Sequence, residues 1–104
     1  KYIKIDVEGA ETDVIQGATG LIDRLKPTIQ IEVHGMYLPA FGSSIGELFS
    51  LMASLGYEAL NAVDMSSTSA ADFSEDTRSA ALGLDGSPMR YKGYGQVLFR
   101  PLGR

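Results

Sequence analysis

The chain has 104 residues, no cysteine, 44% apolar and 21% charged residues and a net charge of −4, which describes one globular domain of intracellular type. Without thiols it can build neither a disulfide scaffold nor a cysteine zinc site, and one histidine is too few for a His-rich cage, so any metal would have to be held mostly by oxygen. The acidic balance, with a pI near 4.8, argues against nucleic-acid binding, and the longest charge-free stretch, Gly35 to Gly46, contains Pro, Gly and Ser, unlike the ~20 apolar residues of a membrane span.

Lys1 leads directly into an apolar alternating run with no signal-peptide pattern. The chain therefore reads as an excerpt of a longer cytoplasmic protein. From Tyr2 to Glu8, Ile3, Ile5 and Val7 fall on one face of a predicted strand and Lys4, Asp6 and Glu8 on the other. After Gly9, the apolar positions Val14, Ile15, Ala18, Leu21, Ile22 and Leu25 recur at helical spacing, with Glu11 and Asp13 near the start and Arg24 and Lys26 near the end. One amphipathic helix is expected over Ala10 to Lys26. Pro27 cannot continue it, and Thr28 to His34 alternates again: Ile29, Ile31 and Val33 against Gln30, Glu32 and His34. Strand, helix and strand in so short a span predict a βαβ unit with parallel strands.

Gly35 to Ser43 reads as a loop. Ser44 and Glu47 have capping-box spacing, and a helix to about Leu55 presents Ile45, Leu48, Phe49, Leu51, Met52 and Leu55 to the sheet before Gly56 stops it. Tyr57 to Val63 is a third predicted strand. Residues 65 to 93 lack periodicity and read as a long loop, with a turn at Gly83 to Gly86, and Tyr94 to Phe99 closes as a last strand. The fold class is α/β.

Parallel strands covered on both faces are normally almost wholly apolar, and these are not. Lys4, Asp6 and Glu8, with Gln30, Glu32 and His34, place polar groups on one face, converging at the carboxyl ends, where open α/β sheets bind ligands. Lys4 with Glu32 fits a structural ion pair inside the sheet. A carboxylate beside the His34 imidazole would make a general base pair, and two carboxylates could instead hold magnesium or calcium. Glu8 and Glu11 could simply cap the following helix. No P-loop, GxGxxG, GxSxG or HExxH pattern occurs.

The run Ile3-Lys-Ile-Asp-Val-Glu-Gly-Ala-Glu11, then Val14-Ile-Gln-Gly-Ala18, then Ile31-Glu-Val-His34, resembles the middle of the FkbM-type methyltransferases, a family of class I S-adenosylmethionine-dependent enzymes. The resemblance is specific over the first 35 residues and lies in the order of elements beyond Ser44. It implies the C-terminal portion of a three-layer Rossmann-like sheet, strands four to seven, with Tyr94 to Phe99 antiparallel beside Thr28 to His34. Residues 1 to 104 would then be part of one methyltransferase domain. Its cofactor-binding N-terminal half, carrying the glycine-rich loop and the acidic residue that hold S-adenosylmethionine, would lie upstream and be this segment's missing partner.

The activity implied is O-methylation of a small molecule or sugar, with Asp6, Glu8, Glu32 and His34 facing the acceptor, His34 or Asp6 as base, Glu8 orienting it, and no metal. Two other classes stay open: a non-catalytic α/β interaction domain, and a carboxylate-metal phosphotransfer or hydrolase domain using Asp6, Glu8 and Glu32.

Overall fold

The computed structural model describes residues 1–34, 37–73, 78–82, 88–92 and 94–103. β1 (Tyr2–Ile5) and β2 (Thr28–His34) are parallel neighbours, with Ile3 opposite Ile29 and Ile5 opposite Ile31. β6 (Tyr94–Pro101) lies antiparallel to β2 on its other side and pairs in turn, again antiparallel, with β3 (Tyr57–Asn61). The mixed four-stranded sheet therefore runs β1-β2-β6-β3, with β1 at one edge.

Alternation along the strands gives the core. Ile5, Ile29, Ile31, Val33, Val97 and Phe99 stand on one face, and Ile15, Ile22, Leu48 and Met52 from the helices bury against them. Among the described residues these helices cover that one face. α3 (Ile45–Ser54) begins as its sequence indicates: the Ser44 hydroxyl accepts from the Glu47 N–H at 3.1 Å, and Gly56, with φ 87°, ends the element. Phe49 meets Phe99 edge to face at 5.3 Å.

Five expectations need correction. The helix predicted over Ala10 to Lys26 is two, α1 (Glu11–Gly17) and α2 (Thr19–Leu25). Gly17, Thr19 and Gly20 are poor helix formers, and the Ala18 N–H turns back to the Ile15 carbonyl, tightening the chain there. Only Ile15 and Ile22 of the apolar stripe are fully buried, while Val14, Leu21 and Leu25 remain about two-fifths exposed, at 38%, 43% and 42%. β1 stops at Ile5, so Val7 leaves the strand face and is exposed. Lys4 stands opposite Gln30, not Glu32, and is exposed, because parallel register fixes its neighbour two residues short of the expected pair.

The fourth correction concerns residues 65 to 93. They contain a short 3-10 turn at Ala70–Phe73 and two antiparallel strands, β4 (Arg78–Leu82) and β5 (Pro88–Lys92). Their pairing does not require the alternation of apolar residues that a strand on a core shows. The turn expected at Gly83 to Gly86 lies outside the described residues. β3 ends at Asn61, two residues early, and Val63 is almost wholly exposed.

Candidate active site

β1 and β2 end side by side, and the segments that leave them are locked together. Gly9, at φ 114°, is buried so closely that a Cβ there would meet the Tyr37 Cβ and the Phe41 ring at 2.8 Å. Phe41 lies in a 3-10 turn, Leu38–Phe41, that follows β2. The Ser43 hydroxyl donates to Thr12 Oγ1 at 2.7 Å, fastening the same segment to α1. Only glycine supplies both the backbone angle and the clearance at position 9.

Across this rim the polar face of the sheet becomes a connected cluster. Gln30 Nε2 donates to Gln96 Oε1 at 3.1 Å, and Gln96 Nε2 donates to Glu32 Oε1 at 2.6 Å. The other Glu32 oxygen lies 3.1 Å from His34 Nε2, which is also 3.9 Å from Asp6 Oδ1. The His34 side chain is 8% exposed, that of Glu32 17% and that of Asp6 51%, so the cluster runs from the surface inward. Asp6 holds its proton more tightly than an ordinary carboxylic acid. The first cause is its hydrogen bond with Glu32, followed by loss of solvent and the Glu32 charge, while the His34 ring opposes the shift.

Of the four residues singled out in the sequence, Asp6, Glu32 and His34 are brought together and Glu8 is not. Glu8 sits in the turn at φ 46° with its side chain exposed, contributing only a more distant negative charge to Asp6. Two further residues enter the site. Gln96 arrives from the far end of the chain because β6 inserts beside β2 and places it opposite Glu32. Glu11, fully buried, accepts from the Gly9 N–H and, at 2.9 Å, from the His34 N–H. α1 has Ala10 at its N-cap with no side-chain cap bond, so neither Glu8 nor Glu11 caps it as a cap residue does. Spacing alone shows neither role, although the apolar alternation of β6 does mark Gln96 as an outward position.

The cluster can exchange protons: a half-exposed carboxyl with raised proton affinity is hydrogen-bonded to a second carboxyl, itself against an imidazole. One donor atom from each of Asp6, Glu32 and His34 also falls within 4.8 Å of the others, a set that could hold a divalent cation. No helix among the described residues is long and apolar enough to cross a membrane. Residues 1–59 match the family model described as the methyltransferase FkbM domain. No curated protein and no solved structure matches the chain.

Proposed function

The chain belongs to the FkbM methyltransferase family, and from that premise we propose that the Asp6–Glu32–His34 cluster handles the proton released when a hydroxyl of a small molecule or sugar is methylated. The observation that carries this reading is the half-exposed Asp6 carboxyl, hydrogen-bonded to Glu32 at the carboxyl ends of two parallel strands. S-adenosylmethionine, the donor implied by the family, supplies a methyl group on a sulfonium, and the acceptor oxygen must lose one proton as its bond to carbon forms. Asp6 is exposed enough to touch an acceptor, and its raised affinity suits it to take that proton. Glu32 spreads the charge towards His34 and Gln96. His34, almost wholly buried, steadies Glu32 from within.

In this reading the strand-end carboxylates serve the acceptor side and not the donor's methionine and ribose. The strand-end carboxylates of Asp6 and Glu32 are engaged with each other and with His34 and Gln96. We therefore read residues 1 to 104 as the C-terminal part of a methyltransferase domain, with β1, β2, β3 and β6 as strands four, five, six and seven of a three-layer sheet. Among the described residues β1 has one hydrogen-bonded neighbour and carries the exposed Tyr2, and this supports the reading, since such an edge is covered in a complete sheet.

Single-turnover methyl transfer by the full-length protein tests the reading. Asp6→Asn is expected to slow it by about a hundredfold to ten-thousandfold with the fold intact; an unchanged rate would remove Asp6 from the chemistry. The 4.8 Å donor spacing favours a second reading, metal-assisted hydrolysis or phosphoryl transfer at the same side chains. That reading requires activity that follows added magnesium or manganese and disappears with chelator.

A further inference from the structure

The polar face of the sheet carries more than the three residues at its end. The Tyr2 hydroxyl of β1 donates to Gln30 Oε1, Gln30 Nε2 donates to Gln96 Oε1 at 3.1 Å, and Gln96 Nε2 donates to Glu32 Oε1 at 2.6 Å. Side chains from three strands thus form one row of hydrogen bonds that ends on the carboxylate beside His34 and Asp6. Its direction is set from that end. A carboxylate can only accept, so Gln96 must turn its NH2 to Glu32 and its oxygen to Gln30, and Gln30 must then turn its own oxygen to the Tyr2 hydroxyl. Register supplies the means, because the pairing of β6 with β2 puts Gln96 directly opposite Glu32.

We infer that Gln96 is the positioning residue of Glu32, fixing one oxygen of its carboxylate so that the group stays against Asp6 and His34. The catalytic meaning of this rests on the proton-handling role proposed above; the placement of the carboxylate does not. A glutamate side chain is long and rotamer-rich, and holding it in one orientation costs entropy. The short bond from Gln96 offsets that cost. With Oε1 held, Oε2 is presented to His34 Nε2 at 3.1 Å, and Asp6 has a fixed partner for its own hydrogen bond. Holding the strands together does not require the Gln96 side chain, since the backbones of β2 and β6 already pair from Ile29 to His34.

The titration of Asp6 reads the position of Glu32 without any acceptor. Asp6 faces Glu32 and His34 of β2 and Glu8 of its own turn, and the bond with Glu32 is the first cause of its raised proton affinity. In Gln96→Leu, a Glu32 that swings away withdraws that bond, and a Glu32 that stays becomes the stronger base and takes the proton itself. Both lower the Asp6 midpoint towards the ordinary carboxylate value. Carbon-detected titration of the Asp6 carboxyl in the full-length protein is expected to show a proton affinity about twofold to tenfold lower in Gln96→Leu than in the wild type, the range that loss of one hydrogen bond gives. A folded variant with the wild-type midpoint overturns the inference, because a residue that only stabilises the sheet would lower the urea midpoint and leave Asp6 as it was. If Gln96→Leu does not fold, Gln96→Met, of similar length and without a donor, takes its place. A wild-type Gln96 side-chain amide with no downfield proton from a carboxylate bond overturns the inference without any variant. Methyl transfer unaffected by Asp6→Asn would leave this result standing and withdraw only the proposed function.

Discussion

The two faces of β2 are built from alternate residues of one seven-residue strand, yet they are held by different physics. Ile29, Ile31 and Val33 are fully buried and pack against Ile15, Leu48, Val97 and Phe99, an arrangement that depends on volume and excludes water. Gln30, Glu32 and His34 point the other way and are bonded in sequence to Gln96, to each other and to Asp6. The apolar face would tolerate another residue of similar size. The polar face depends on which atom donates and which accepts, and its members cannot be exchanged one at a time.

A cavity on the apolar face gives the largest expected loss of stability. Leu48→Ala should cost about 2 to 5 kcal/mol, because the side chain is fully buried against the sheet; urea unfolding measures it, and a midpoint unchanged within error would show that the helical face carries no packing. Next comes the rim that joins the two strand ends. Gly9→Ala forces a Cβ to within 2.8 Å of Tyr37 and Phe41 at a positive φ, and should cost about 1 to 3 kcal/mol by the same assay. If the loss is much smaller, the two loops are not fastened at this point.

Gln96→Leu sharpens the contrast from the polar side. It removes the donor to Glu32 and the acceptor of Gln30 in a half-buried setting, and a loss of about 1 kcal/mol is expected. Equal or greater stability would show that the face behaves as ordinary packing.

The smallest effect is in the pH dependence. Asp6 has a folded-state pKa above its unfolded value, so its contribution to stability is fully present below the ordinary carboxylate pKa and is lost as pH rises through the raised value. Relative to Asp6→Asn, the wild type should therefore gain stability on acidification across that window. Urea midpoints of both proteins at several pH values check the sign, and the opposite slope would mean that the charged form of Asp6 is the one the fold favours.

Period-two alternation exposed both faces of β2 in advance, because hydrophobic patterning is local. The same pattern marked Asp6, Glu32 and His34 as polar positions on one side, and the structure does bring these three together. What alternation overestimated was the extent of the elements: Val7 and Glu8 fit the pattern, but β1 has already ended. The helix through Ala18 fails for the complementary reason. Its apolar spacing runs on to Leu25, and the weak helix formers around Ala18 break the backbone where periodicity does not register them.

Sequence by itself determined the parallel strand pair, the capped third helix, the core-facing residues of β2 and of that helix, and the polar strand ends, all of which follow from near-neighbour sterics and the burial of apolar side chains. Tertiary structure alone decided who meets whom across the sheet. Register placed Gln30 opposite Lys4, the insertion of β6 brought Gln96 to Glu32 across 64 positions of sequence, and the packing of two loops at Gly9 turned Glu11 from a helix-start residue into the carboxylate behind His34. Such pairings depend on how separate elements are juxtaposed in space, and a local pattern carries no record of that.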